Sequence, residues 1–291
     1  MRPNREHLAA LLAVVDTGTF EAAAAALHVT PSAISQRIKA LESQLGHVVV
    51  IRSNPCRVTD PGARLLRMAR QIELLERETF SGMGSQSPVV DLPVAVNADS
   101  LATWFPTVLS RVAAHRGIQL RLYVEDQEHT TALMRDATAL AAVASDRAPV
   151  QGCSVEPLGA MRYVPVATPG LLEMHTSGRR IDWQALPVVR FNDKDDLQHD
   201  ILAAHGVSRP DVCHVMPSSE GFAKAVHAGL GWGALPESDL GDSLARGSLR
   251  RLGARLHVDV PLYWQRWRID SPALGLLSDA VRHAARAALR S

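Results

Sequence analysis

Residues 19–46 read TFEAAAAALHVTPSAISQRIKALESQLG. Thr30 is a strong helix N-cap, and Pro31 falls at the first helical position, where its missing N–H costs nothing. Gly46 supplies a C-terminal stop. Between them Ile34, Ile38, Leu41 and Leu45 recur at helical spacing and form one apolar stripe. Ser32, Ser35, Gln36 and Lys39 fall on another face, with Arg37 at its margin. Short hydroxyls, an amide and cations suit base edges and phosphates in a major groove. The preceding segment starts at Thr19, another cap, and carries Glu21 in its first turn, where the helix dipole favours an acid. Its alanine run is smooth enough for a second helix to cross closely. A helix-turn-helix is therefore expected. The turn falls near His28 where many such motifs have glycine, so a left-handed backbone there carries some strain.

Working outward, Leu8, Leu11, Leu12 and Val15 predict an earlier helix with one face packed inward and Asn4 as its cap. After Gly46, Val48 to Ile51 and Arg57 to Thr59 read as a small two-stranded wing. Arg52 and Arg57 flank its tip, placed for phosphates or a minor groove. From Thr30 to Thr59, Arg37, Lys39, Arg52 and Arg57 stand against Glu42 alone, although the whole 291-residue chain carries a formal charge of only +1. Such a local patch implies DNA affinity that falls as salt rises. Thr59 or Asp60 then caps a helix predicted from Pro61 to about Phe80. Leu65, Met68, Ile72 and Leu75 alternate spacings of three and four along it, a seam for a partner helix. SGMGSQSP, residues 81–88, is a hinge by composition.

The remainder predicts an α/β region. Strands are expected at 92–97, 118–124, 140–144, 161–168, 187–192, 211–215, 232–235 and 262–267. Helices are expected at 101–115, near 129–135 and at 271–289, with others between. That alternation implies mostly parallel sheets with ligands at the carboxyl ends of strands. The span 89–291 can hold two lobes with a cleft between them.

Catalytic and metal signatures are weak. There is no GxSxG elbow and no HExxH. Gly229 to Ala234 formally fits a dinucleotide fingerprint, but its context is a helix exit into a strand. The histidines show no metal-ligand spacing with one another or with Cys56, Cys153 and Cys213, and the odd, scattered cysteines argue against a disulfide framework. No metal or cofactor is expected. No apolar run approaches a membrane span and no signal peptide opens the chain, so the cytoplasm is the expected compartment and no membrane partner is expected.

Residues 19–46, the wing RSNPCRVTDPG and the helix after it together resemble the LysR-type transcriptional regulators. VNADSLATWF (96–105), EDQEH (125–129), EGFAKAVHAGLGWGALPE (220–237) and PLYWQRW (261–267) are similar to the branch that senses lysine and arginine and controls basic amino-acid export. The resemblance covers essentially the whole chain. It implies a winged helix-turn-helix at 1–60, a dimerising linker helix and hinge at 61–88, and a two-lobed effector domain like a periplasmic binding protein at 89–291. Lobe I would take about 89–163 plus 264–291, and lobe II about 164–263. It further implies a homodimer that pairs into a tetramer, double-stranded DNA as partner, and RNA polymerase as a partner in activation.

The expected DNA-contacting set is Thr30, Pro31, Ser32, Ser35, Gln36, Arg37, Lys39, Arg52 and Arg57. Ser32, Ser35, Gln36 and Arg37 would read bases, while Lys39 and Arg52 would hold backbone. For a basic amino acid, the N–H groups at Ser100 and Leu101 and the Ser100 hydroxyl are expected to take the carboxylate. Its cations need acceptors, and Asp99, Glu125, Asp126, Asp193 and Glu220 all stand at expected strand ends. Glu125 or Asp126 would take the α-ammonium and Glu220 or Asp193 the distal charge. Trp104 and Trp232 would wall the aliphatic stem. Lysine, arginine and histidine all remain open as the effector. The competing reading is a two-lobed small-molecule-binding protein or enzyme that carries a helical N-terminal module.

Overall fold

The structure is a computed structural model that describes residues 3–80, 89–124, 127–178, 180–192 and 196–290. The hinge 81–88 and three of the expected effector ligands, Glu125, Asp126 and Asp193, lie outside the described residues.

Local chemistry sets the N-terminal helices. Asn4 accepts from the Glu6 amide and starts α1 (Arg5–Thr17), which ends on Gly18 at φ 77°. Thr19 accepts from the Ala22 amide and starts α2 (Phe20–Ala26). His28 then takes φ 54°, the left-handed conformation expected of the turn. Thr30 accepts from the Ala33 amide and starts α3 (Pro31–Leu45), closed by Gly46 at φ 71°. Leu11, Val14, Ala23, Ile34, Ile38 and Leu41 are buried between the three helices. Strands β1 (Val50–Ile51) and β2 (Arg57–Val58) pair antiparallel as the wing. Glu42 fastens the wing to α3 by accepting from the Val49 amide at 3.0 Å.

Helix α4 (Asp60–Phe80) follows, with Thr59 as cap, its hydroxyl oxygen accepting from the Gly62 amide. It meets the wing at Gly62, where an added Cβ would lie 2.0 Å from the Val49 carbonyl oxygen. Leu66, Ala69, Arg70 and Leu74 face inward. Arg70 reaches Asp16 of α1 at 2.5 Å. Further along, Arg67 donates to the Gln151 carbonyl at 2.7 Å, and Glu78 accepts from the Ser271 hydroxyl at 2.6 Å and the Ala273 amide at 3.0 Å. The helix is thus bonded to both halves of the chain.

In chain order the remaining elements begin with β3 (Val90–Val96), α5 (Ala98–Thr103), α6 (Phe105–Ala113), β4 (Ile118–Val124), α7 (Gln127–Arg135) and β5 (Ala141–Ala144). Next come β6 (Cys153–Ala167), α8 (Pro169–Met174), the short pair β7 (Thr176–Ser177) and β8 (Arg180–Ile181), β9 (Val188–Arg190), α9 (Asp196–Ala204) and β10 (Cys213–Val215). The chain closes with α10 (Ser219–His227), β11 (Gly233–Pro236), a 3-10 turn (Glu237–Asp239), α11 (Gly241–Ala245), β12 (Arg250–Arg251), β13 (Val258–Trp267) and α12 (Pro272–Ala288).

Two expectations need correction. The single helix at 101–115 is two helices broken at Trp104, because Pro106 has no N–H to give the Ala102 carbonyl. The expectation of mostly parallel sheets is also corrected. The large sheet runs β11-β6-β13-β5-β3-β4 and is mixed: β3 pairs parallel with β4 and β5, whereas β6 pairs antiparallel with β13, β11 and β12. Strands β6 and β13 are long enough to belong to both lobes. A bulge at Leu262/Tyr263 shifts their register beside Gly159. The lobe I core gathers Phe105, Trp264, Trp267, Leu274, Leu277 and Val281, and a separate cluster in lobe II gathers Val164, Val166, Val189, Phe222, Val226 and Leu235.

Candidate DNA interface and effector cleft

On the N-terminal domain the polar face of α3 is open. Pro31, Ser32, Gln36 and Lys39 are exposed, and Ser35 is half-buried. Ser32 and Ser35 share a concavity of about 430 Å³ with Phe20, Arg52, Ser53 and Asn54. The start of α2, the start of α3 and the wing tip converge there. The Arg52 guanidinium lies over the Phe20 ring, 4.6 Å from its centroid, so its direction is fixed by stacking as well as charge. Ser53 and Asn54 were not singled out from sequence, although small polar residues at a wing tip are a usable signal. Arg57 is exposed on the wing.

Two members of the expected set do other work. The Thr30 hydroxyl caps α3 and meets the Ser32 hydroxyl at 2.9 Å. Arg37, expected to read bases, pairs with Glu6 of α1 at 2.9 Å, on the flank turned toward that helix. Lys39, Arg52 and Arg57 are the cations left on the open face. Glu42, the only acid from Thr30 to Thr59, accepts from the wing's backbone amides and is thereby held at the wing.

The linker seam is also open. Ile72 and Leu75 are 36% and 43% exposed, Leu65 and Met68 are half-buried, and Phe80 beyond them is 56% exposed. The opposite side of α4 is the one buried against the chain's own domains.

At the cleft, Asn97 caps α5. Its side chain accepts from the Ser100 amide at 2.9 Å and its carbonyl from the Leu101 amide at 3.0 Å. The expectation that these two N–H groups are free for a carboxylate is therefore corrected. The Ser100 hydroxyl is fully buried, with no partner among the described residues. Trp104 and Trp232 also correct their expected role as stem walls. They are 4% and 0% exposed, one edge-on to Phe105 and the other edge-on to Trp183, so neither offers open surface. Glu220 is exposed and already holds Lys224 at 2.5 Å; that hydrogen bond, with the lysine's charge, keeps its carboxyl below the usual carboxylate range.

Asp99 is placed differently. It sits in the first turn of α5, where its Oδ2 accepts from the Tyr163 hydroxyl and its Oδ1 from the Ser219 hydroxyl, each at 2.8 Å. One carboxylate thus joins lobe I, the crossing strand β6 and the start of α10 in lobe II. Nearby, burial pushes the Asp239 carboxyl up, and the negative charge of Asp99 adds to that. Among the described residues no cationic side chain pairs with Asp99 or Asp239. Tyr163, Ser219 and Asp239 were missed from sequence. The signal for Tyr163 was available: a tyrosine inside an apolar strand needs a partner for its hydroxyl. No cluster of three or more metal-ligating side chains occurs among the described residues.

Residues 5–63 match the bacterial regulatory helix-turn-helix proteins of the lysR family, and residues 85–286 match the LysR substrate binding domain. The chain belongs to the LysR family. This LysR-family DNA-binding transcriptional regulator is 46% identical to the lysine export transcriptional regulatory protein LysG of Corynebacterium efficiens, over 99% of this chain and 100% of the relative. The structure of full-length LysG from Corynebacterium glutamicum with bound effector Arg superposes with a TM-score of 0.84 at 42% identity, covering 99% of this regulator and 100% of that chain. The crystal structure of ArgP from Mycobacterium tuberculosis gives a TM-score of 0.86 at 44% identity, with 98% of each chain covered. The fold is that of these proteins, an N-terminal winged helix-turn-helix joined to a two-lobed effector domain.

Proposed function

We propose that this regulator senses a basic amino acid between the lobes of its effector domain and controls a gene for lysine or arginine export. The reading rests above all on full-length similarity to a lysine export regulator and to a LysG holding arginine. The Asp99 carboxylate at the cleft, which pairs with no cationic side chain among the described residues, supports it, since a cationic ligand needs such an acceptor. No enzymatic activity is part of the reading, because the relatives are transcriptional regulators. The effector is a dissociable ligand and not a cofactor.

Two copies join through the α4 seam, and the dimer presents two α3 helices to successive major grooves of a dyad site. Ser32, Ser35 and Gln36 read bases, with Lys39, Arg52 and Arg57 on the backbone. Dimers pair into tetramers, the site of action is the cytoplasm where the genome lies, and RNA polymerase is the partner in activation. The effector must bind two arrangements of the protein with different affinity to shift promoter geometry.

Gel-shift titration on the upstream intergenic DNA tests the DNA half. Gln36→Ala is expected to weaken specific binding by about 1–3 kcal/mol and leave nonspecific binding unchanged. An unaltered sequence preference would remove Gln36 from base reading. Calorimetry with the twenty amino acids tests the effector half; binding confined to neutral or acidic ones would overturn it.

A further inference from the structure

Opening the cleft between the lobes breaks a defined contact. Asp99 lies on α5 of lobe I and Ser219 at the start of α10 of lobe II, 120 positions apart in the chain, and their side chains meet at 2.8 Å. The second oxygen of Asp99 is held by Tyr163, which is 2% exposed on a strand that crosses between the lobes. Both partners are neutral hydroxyls. They orient the carboxylate by donating to it but do not neutralise its charge, and no cationic side chain pairs with it among the described residues. A carboxylate held by two donors keeps acceptor capacity for a third. The neighbouring Ser100 is buried and its amide is spent on Asn97, so it does not compete for the role.

We propose that Tyr163 and Ser219 are positioning residues that aim the Asp99 carboxylate across the cleft, making it the latch through which a cationic effector draws lobe II onto lobe I. This deepens the proposed function and rests on it. Two consequences follow from the bonding. Preference for a cationic ligand over a neutral one of the same shape resides in Asp99. That preference needs both hydroxyls, because a carboxylate free to rotate loses its aim and the lobe II end of the latch together.

The experiment is calorimetry on the full-length protein with L-arginine, L-lysine and citrulline, the neutral isostere of arginine. Arginine is expected to bind about 100-fold more tightly than citrulline, the order expected when a charge-assisted contact is lost. Asp99→Asn is expected to bring that ratio close to one. Ser219→Ala and Tyr163→Phe are each expected to lower arginine affinity about tenfold with a smaller change for citrulline, and Ser219→Thr to restore it. The Asp99→Asn/Ser219→Ala double variant is expected to be no weaker than Asp99→Asn alone. Equal losses for arginine and citrulline in the Ser219 and Tyr163 variants would reduce both residues to structural roles and overturn the inference. So would an unchanged ratio in Asp99→Asn. If the wild-type protein bound no basic amino acid, the proposed effector class would fall and the latch with it; normal arginine binding with unaltered ratios in the variants would remove the latch alone.

Discussion

The Arg70 side chain is 7% exposed, and Asp16 on α1 is its charge partner. Removing the acid leaves a buried cation uncompensated, which costs far more than the pair itself contributes. Asp16→Ala is therefore expected to destabilise the protein by roughly 3 kcal/mol, and Asp16→Asn by less because its carbonyl still accepts one bond. Thermal unfolding at neutral pH reads both, and equal melting temperatures for wild type and Asp16→Ala would show that the pair is dispensable. Gly62 is a second sensitive point. A methyl group there meets a backbone carbonyl, which cannot rotate away. Gly62→Ala is expected to cost about 1–3 kcal/mol and to shift the wing, so DNA affinity and melting temperature should fall together. Arg37 reads as a DNA contact on a helical wheel, but its pair with Glu6, 31 positions away in sequence, was not legible there. Asp99 was legible as an acid at a strand end, but its bonds to Tyr163 and Ser219 were not, since both partners come from distant segments.

At the scale of elements, what could be read was what is local. Asn4, Thr19, Thr30 and Gly46 mark helix ends through bonds to residues within four positions, and the structure has all of them where the sequence implies. The break at Trp104 was equally local and could have been found from Pro106. Strands β6 and β13 were read only in their apolar halves. Pro157 and Gly159 look like strand breakers, and only pairing with a partner about a hundred residues away keeps the chain extended there. The linker helix carries the periodic row that reads as a partner seam. In its second half Ile72 and Leu75 are exposed, with Leu65 and Met68 half-buried before them, while Leu66, Ala69 and Leu74 pack inward. Replacing Ile72 and Leu75 together with Asp is expected to yield monomers in analytical ultracentrifugation with effector binding intact. Dimers of undiminished stability in that variant would move the interface elsewhere.

For the whole molecule, the question is how a ligand between two lobes reaches a helix at the far end of the chain. The path available runs through α4. Glu78 accepts from the first turn of α12 in lobe I, Arg67 holds the Gln151 carbonyl, and Arg70 holds α1. Glu78→Ala removes the contact at the α12 end. The expected outcome is unchanged effector affinity by calorimetry and unchanged DNA affinity without effector, together with at least a severalfold smaller effector-induced change in the DNA footprint. A normal footprint response would place the coupling in other contacts. The uncovered apolar row on α4 carries a consequence at the scale of the cell. If the reading head is complete only when two copies meet, as proposed, its abundance is tied to chance encounter. While unpaired chains predominate, halving their supply leaves about a quarter of the paired molecules, so promoter occupancy would respond to expression level more steeply than for a protein that works alone.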